Sequence, residues 1–107
     1  MVFIELPIFV RTAADLFSDE DLAELQLTLL ENPSAGSLIT ATRGLRKLRV
    51  PLPGRGKRGG ARVIYYHWVN EHQCYLLYAY AKNVISDLPK EQLQQLAALM
   101  EKVIRNG

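Results

Sequence analysis

Two runs decide the fold: Arg62-Val63-Ile64-Tyr65-Tyr66-His67-Trp68-Val69 and Cys74-Tyr75-Leu76-Leu77-Tyr78-Ala79-Tyr80-Ala81, separated only by the polar link Asn70-Glu71-His72-Gln73. Both are rich in β-branched and aromatic residues, and the link is the length of a hairpin connection. A strand with one wet face alternates apolar and polar residues. These two are nearly unbroken, which predicts central strands covered on both faces.

Reading outward, the sequence supplies both covers. Downstream, Pro89 opens a helix in which Leu93, Leu96, Ala97, Met100, Val103 and Ile104 recur at spacings of three and four, with Lys102 and Arg105 in a last turn that suits cations. Upstream, Leu45 to Val50 reads as a third strand with Lys47 and Arg49 on one face and Leu48 and Val50 on the other. Val2 to Leu6 reads as a strand closed by Pro7, followed by a helix over Ile8 to Leu16 carrying Phe9, Ala13 and Leu16. Ser18 with Asp19, Glu20 and Asp21 marks the start of another helix, whose stripe is Leu22, Leu25 and Leu29 and whose end is Asn32-Pro33. Pro33 to Thr42 is expected to be loop. The order β-α-α-β-β-β-α predicts one α+β domain over residues 1–107, with a mainly antiparallel sheet, the amino-terminal strand and helical hairpin on one side, and a carboxy-terminal helix.

Composition agrees with such a domain. Of 107 residues, 49% are apolar and 22% charged, as in an ordinary globular chain. No apolar run approaches the roughly 18 to 20 residues of a membrane span, and the amino terminus has no signal-like pattern. Cys74 is the sole cysteine, so neither an internal disulfide nor a multi-cysteine metal site is expected. The cytoplasm is the expected compartment. Net charge is +2, but its distribution is uneven: no acid lies between Glu31 and Glu71, an interval holding Arg43, Arg46, Lys47, Arg49, Arg55, Lys57, Arg58 and Arg62. That stretch predicts a surface attractive to a polyanion.

Gly54-Arg55-Gly56-Lys57-Arg58-Gly59 has the letters of a dinucleotide fingerprint but leads into a strand, whereas the fingerprint works only at a helix start. A cationic loop able to approach phosphates is the better reading. Lys47, Arg49 and Arg62 lie on strands, where a cation is held more accurately than on a loop. Arg62 shares its face with Ile64, Tyr66 and Trp68, and Tyr78, Tyr80 and Lys82 share a face of the next strand; rings interleaved with cations can stack unpaired bases. For Tyr65 and Trp68 a core role is the stronger expectation. His67 and His72 lack the partners of a metal site or a nucleophilic triad, so no metal or cofactor is expected.

The segments Gly44-Leu45-Arg46-Lys47-Leu48-Arg49-Val50, Gly54 to Tyr66, Tyr80-Ala81-Lys82-Asn83 and Ser86-Asp87-Leu88 together resemble the HigB branch of the RelE-type toxins. The resemblance implies a RelE fold, cleavage of translated messenger RNA in the A site of the small ribosomal subunit, and a cognate antitoxin. Carried over by position, it implies catalytic roles for Lys47, Arg49, Arg62 and Lys82. Arg43, Arg46, Arg55, Lys57, Arg58, Tyr66 and Tyr80 are the candidate RNA contacts. The expected chemistry is attack of an RNA 2′-hydroxyl on the adjacent phosphorus, with Arg49 and Arg62 stabilising charge, Lys47 as base and Lys82 as acid. The sequence departs from some relatives in having neither tyrosine nor histidine between Asn83 and Leu88. Alternative expectations are a gyrase-poisoning toxin of the ParE branch, a non-catalytic RNA or ribosome binder, and a face that receives an acidic, folding-on-binding segment of another protein.

Overall fold

The computed structural model describes residues 1–53 and 59–106. Strands β1 (Val2–Glu5), β2 (Ser37–Leu38), β3 (Arg46–Val50), β4 (Ala61–Trp68) and β5 (Gln73–Ala81) form one sheet in the order β1-β5-β4-β3-β2. Helices α1 (Pro7–Ala13), α2 (Asp19–Glu31) and α3 (Lys90–Asn106) complete the domain. The sheet is antiparallel except where β1 pairs in parallel with β5, its chain crossing over through the helices that follow. This is the α+β architecture read from the sequence. Two details differ. The segment expected to be loop contains β2, and the hairpin link includes a 3₁₀ turn at Val69–Glu71 that ends in a left-handed His72 (φ 52°), so that Gln73 already belongs to β5.

Continuous apolarity in β4 and β5 is explained by cover on both faces. On one face Phe9 and Ala13 of α1 and Leu25 and Leu29 of α2 pack with Leu48, Val63, Tyr65, Cys74 and Leu76. On the other, Leu96 and Met100 of α3 pack with Leu45, Ile64, Leu77 and Tyr80. The β4–β5 register steps between Ile64↔Tyr78 and Tyr65↔Leu76, so Leu77 is the extra residue of a bulge and turns toward α3 together with Tyr78. α2 begins with a reciprocal cap, in which Asp21 N donates to Ser18 Oγ (3.1 Å) and Ser18 N to Asp21 Oδ2 (2.9 Å).

Tyr65 explains why β2 exists. Its side chain is fully buried, and its hydroxyl accepts from Gly36 N (2.9 Å) and donates to Pro33 O (2.7 Å). The approach is so close that a Cβ at Gly36 would stand 2.7 Å from the Tyr65 ring and 2.9 Å from Lys47 O. The arm 33–38 is therefore pinned to the sheet, which lets Ser37 and Leu38 pair with Lys47 and Arg46. Burial raises the Tyr65 phenol above its ordinary value, against the lowering effects of the Gly36 hydrogen bond and Arg46. We expect Tyr65→Phe to lose about 1–3 kcal/mol, the usual consequence of leaving buried backbone groups unpaired. Urea denaturation would read this as a lowered midpoint with an unchanged slope.

Candidate nucleic-acid site

The face covered by α3 is covered only over part of its length. Toward the ends of β3 and β4 nearest residues 50 and 61, the sheet carries Lys47, Arg49 and Arg62 on this same face. Arg49 pairs directly with Arg62, and Arg62 directly with Tyr80 across the next strand. Like charges placed directly opposite one another repel, and with Cβ atoms about 5 Å apart they form a site that an anion between them relieves. Arg49 is exposed and has no ion-pair partner among the described residues. Arg62 is anchored, because Nη1 donates to Gly59 O (2.7 Å) and Ala61 O (3.1 Å), so one edge of its fork faces backbone while its other donors stay available.

Two further groups complete the cluster. Lys82 follows β5; its backbone N donates to Gly60 O (3.0 Å) and its Nζ to Ser86 O. Gly59 and Gly60 have positive φ, and a Cβ on Gly60 would strike the backbone of Val50 and Pro51, so glycine is what lets β4 start this close to β3. Asp87 is the second group. Its Oδ1 accepts from Lys47 Nζ (3.2 Å), Leu88 N (3.1 Å) and, at 3.4 Å, the Tyr80 hydroxyl. The Lys47 hydrogen bond holds Asp87 below the usual carboxylate range, outweighing its partial desolvation. Burial first, and Asp87 next, push the Tyr80 phenol up to about 12, although Arg62 opposes them. Tyr80 is thus a neutral donor at physiological pH.

The structure brings together four of the residues singled out in the sequence, Lys47, Arg49, Arg62 and Lys82, at one end of the sheet. It separates others. Arg46 lies on the opposite face, because successive residues of β3 alternate, and its Nη1 donates to Gly36 O (2.7 Å) as a brace for the 33–38 arm. Arg43 pairs with Glu101 near the far end of α3. Tyr66 is half-buried against Gly44 and the α3 cluster, and Tyr80 is only 3% exposed, so its ring is core and cannot stack a base; only its hydroxyl reaches the site. Arg55, Lys57 and Arg58 lie outside the described residues.

Lys47, expected to act as base, has its Nζ 3.2 Å from Asp87 Oδ1, an ion pair that the sequence reading did not include. Asp87, quoted in the resemblance but given no role there, reaches Lys47 across forty residues of chain, a separation that no local pattern bridges. Tyr65 is core, as expected; Trp68 is half-buried beside Tyr75 at 6.4 Å. His67 sits across the sheet from the cluster, lowered in pKa by burial, Arg46 and His72. Burial pushes the Cys74 thiol up to about 12, which makes it inert. Among the described residues no three His, Cys, Asp or Glu side chains converge on a possible metal position, and no helix is long and apolar enough to cross a membrane.

A family model, that of the RelE toxin of the RelE/RelB toxin–antitoxin system, matches residues 8–106 of this chain. The chain belongs to the RelE toxin family. The free-state structure of an arginine-to-alanine double mutant of E. coli toxin RelE is similar to this RelE-family chain with a TM-score of 0.61 and 14% identity. The similarity covers 92% of this chain and 95% of that one. At that identity the match speaks to the fold, and the family makes this chain one half of a toxin–antitoxin system.

Two outcomes follow from the electrostatics. Arg49→Gln should remove the repulsion with Arg62 and stabilise the fold by roughly 0.2–1 kcal/mol at low ionic strength; denaturation in rising salt should shrink the gain as the charges are screened. For Asp87, whose folded pKa is depressed, the stabilising contribution is present above the unfolded value of about 3.9 and is lost as pH falls through the folded value. Wild type should therefore exceed Asp87→Asn in urea midpoint near neutral pH, and the two should merge in strong acid.

Proposed function

We propose that this chain is the toxin of a type II system, of the HigB branch, that cuts messenger RNA in the ribosomal A site without a metal ion. The observation that carries the proposal is the direct pairing of Arg49 with Arg62 on the uncovered face, flanked by Lys47 and Lys82. Guanidiniums match phosphoryl oxygens in geometry, and a preformed, repelling pair stabilises added negative charge without having to reorganise.

The reaction follows from those groups. The RNA 2′-hydroxyl oxygen bonds to the adjacent phosphorus as the bond from phosphorus to the 5′-oxygen of the next nucleotide breaks, leaving a cyclic phosphate and a 5′-hydroxyl. Arg62 and Arg49 stabilise the phosphoryl oxygens while they carry extra charge. Asp87 takes the proton of the attacking hydroxyl, since it is ionised at neutral pH and tied to Lys47; Lys82 donates to the departing oxygen. A carboxylate held this acidic is a weak base, so most of the acceleration rests on positioning and on the arginines. The antitoxin is expected to act by covering these cations or by blocking ribosome entry.

Truncation of Arg62 to alanine should lower cutting by on the order of 10²- to 10³-fold, as for loss of one preorganised oxyanion donor. Inducible expression with mapping of message ends, with and without ribosomes, measures it. Intact messages in wild type accompanied by inhibited gyrase supercoiling would instead establish the gyrase-poisoning alternative. Steeply salt-dependent RNA binding with no product would establish a non-catalytic binder.

A further inference from the structure

A hollow of about 620 Å³ opens beside the phosphate cluster, between the β2 arm and the start of α3. Its apolar side chains are Ile39 and Leu93, and its cations are Lys47 and Lys90. None of its lining residues is acidic, and Lys47 is also tied to Asp87. Leu38, which pairs with Arg46, turns its side chain toward the opposite face. The volume lies in the range of small-ligand sites, and an apolar slot with few polar groups is what a flat, heteroatom-rimmed ring requires. Lys47 belongs both to this hollow and to the catalytic cluster, so the two are continuous.

The segment that runs on from the wall, Ala41 to Gly44, is built under constraint. Ala41 and Arg43 both adopt left-handed φ (62° and 60°), which side chains rarely do, and Gly44 follows at 111°. Three ties hold the segment there: Thr42 Oγ1 donates to Ile39 O (2.7 Å), Gln94 Nε2 of α3 donates to Ala41 O (2.8 Å), and Arg43 pairs with Glu101 of α3. Backbone strain that is kept by dedicated contacts from another element marks a wall whose position matters.

We propose that this hollow is a nucleotide subsite: a base next to the cleaved phosphate lies against Ile39 and Leu93, while Lys90 and Lys47 meet the neighbouring backbone phosphate. The inference rests on the ribonuclease reading and gives it a source of base preference outside the residues that perform the reaction. Ser37 and Thr40, which also line the hollow, can hydrogen-bond the edge of the base.

The test uses purified protein with labelled methyl groups, titrated with inorganic phosphate and with a 2′-O-methylated RNA trinucleotide that cannot react. Phosphate alone is expected to perturb only the surroundings of Arg49 and Arg62; the trinucleotide should perturb the methyls of Ile39 and Leu93 as well. Perturbation by the trinucleotide confined to the arginine cluster would overturn the subsite, whether or not RNA is cut. In cells, Ser37→Ala and Lys90→Gln should shift the nucleotide frequencies flanking the cuts at least severalfold, with total cutting reduced less than by Arg62→Ala. Unchanged flanking frequencies in both variants would also sink it. Absence of any cutting by wild type would refute the ribonuclease reading instead, and the titration would still decide the hollow.

Discussion

Burial of β4 and β5 on both faces is the constraint on which the rest of the molecule depends. Once α1 and α2 cover one side and α3 covers part of the other, the interior has no room for a charged group without a partner. Among the described residues, Lys47, Arg49, Arg62 and Lys82 gather at the uncovered end of the α3 face. There the backbone hydrogen bonds of three adjacent strands do what flexible loops do poorly, holding Arg49, Arg62 and the Tyr80 hydroxyl at fixed spacing.

That placement is destabilising in itself. Two arginines face each other across adjacent strands, and the fold tolerates them because the apolar burial beneath is extensive and because solvent screens the exposed Arg49. Asp87 relieves part of the cationic field through Lys47 rather than through either arginine. The guanidiniums are left facing outward, while the lysine is organised by a carboxylate. Under the reaction proposed above, a surface of this kind held by a well-packed core lets a phosphate be met by groups that need not move.

The same economy appears around the β2 arm. Tyr65, a core residue, uses its hydroxyl to hold Gly36 and Pro33, and Arg46 braces the same arm from the same face. The arm then forms one wall of the hollow beside Lys47, opposite the start of α3. A residue buried on one side of the sheet thus shapes a surface on the other. Arg46 and Tyr80 were both expected to contact RNA; in the fold the arginine is a strut for the arm, and all of the tyrosine but its hydroxyl is core.

From its own residues the chain determined a great deal. Unbroken apolarity in β4 and β5, the stripes of α2 and α3 and the Ser18 cap specify the elements and their two-sided packing, because periodicity and capping are local and survive in one dimension. Alternation along β3 also separates Lys47 and Arg49 from Leu48 and Val50 without any structure. Only the tertiary fold decided that Arg49 would oppose Arg62, that Asp87 would reach Lys47 across forty residues, and that Ser37 and Leu38 would become a strand. Register, bulges and side-chain encounters between distant segments depend on how whole surfaces settle against one another. No local pattern encodes that outcome.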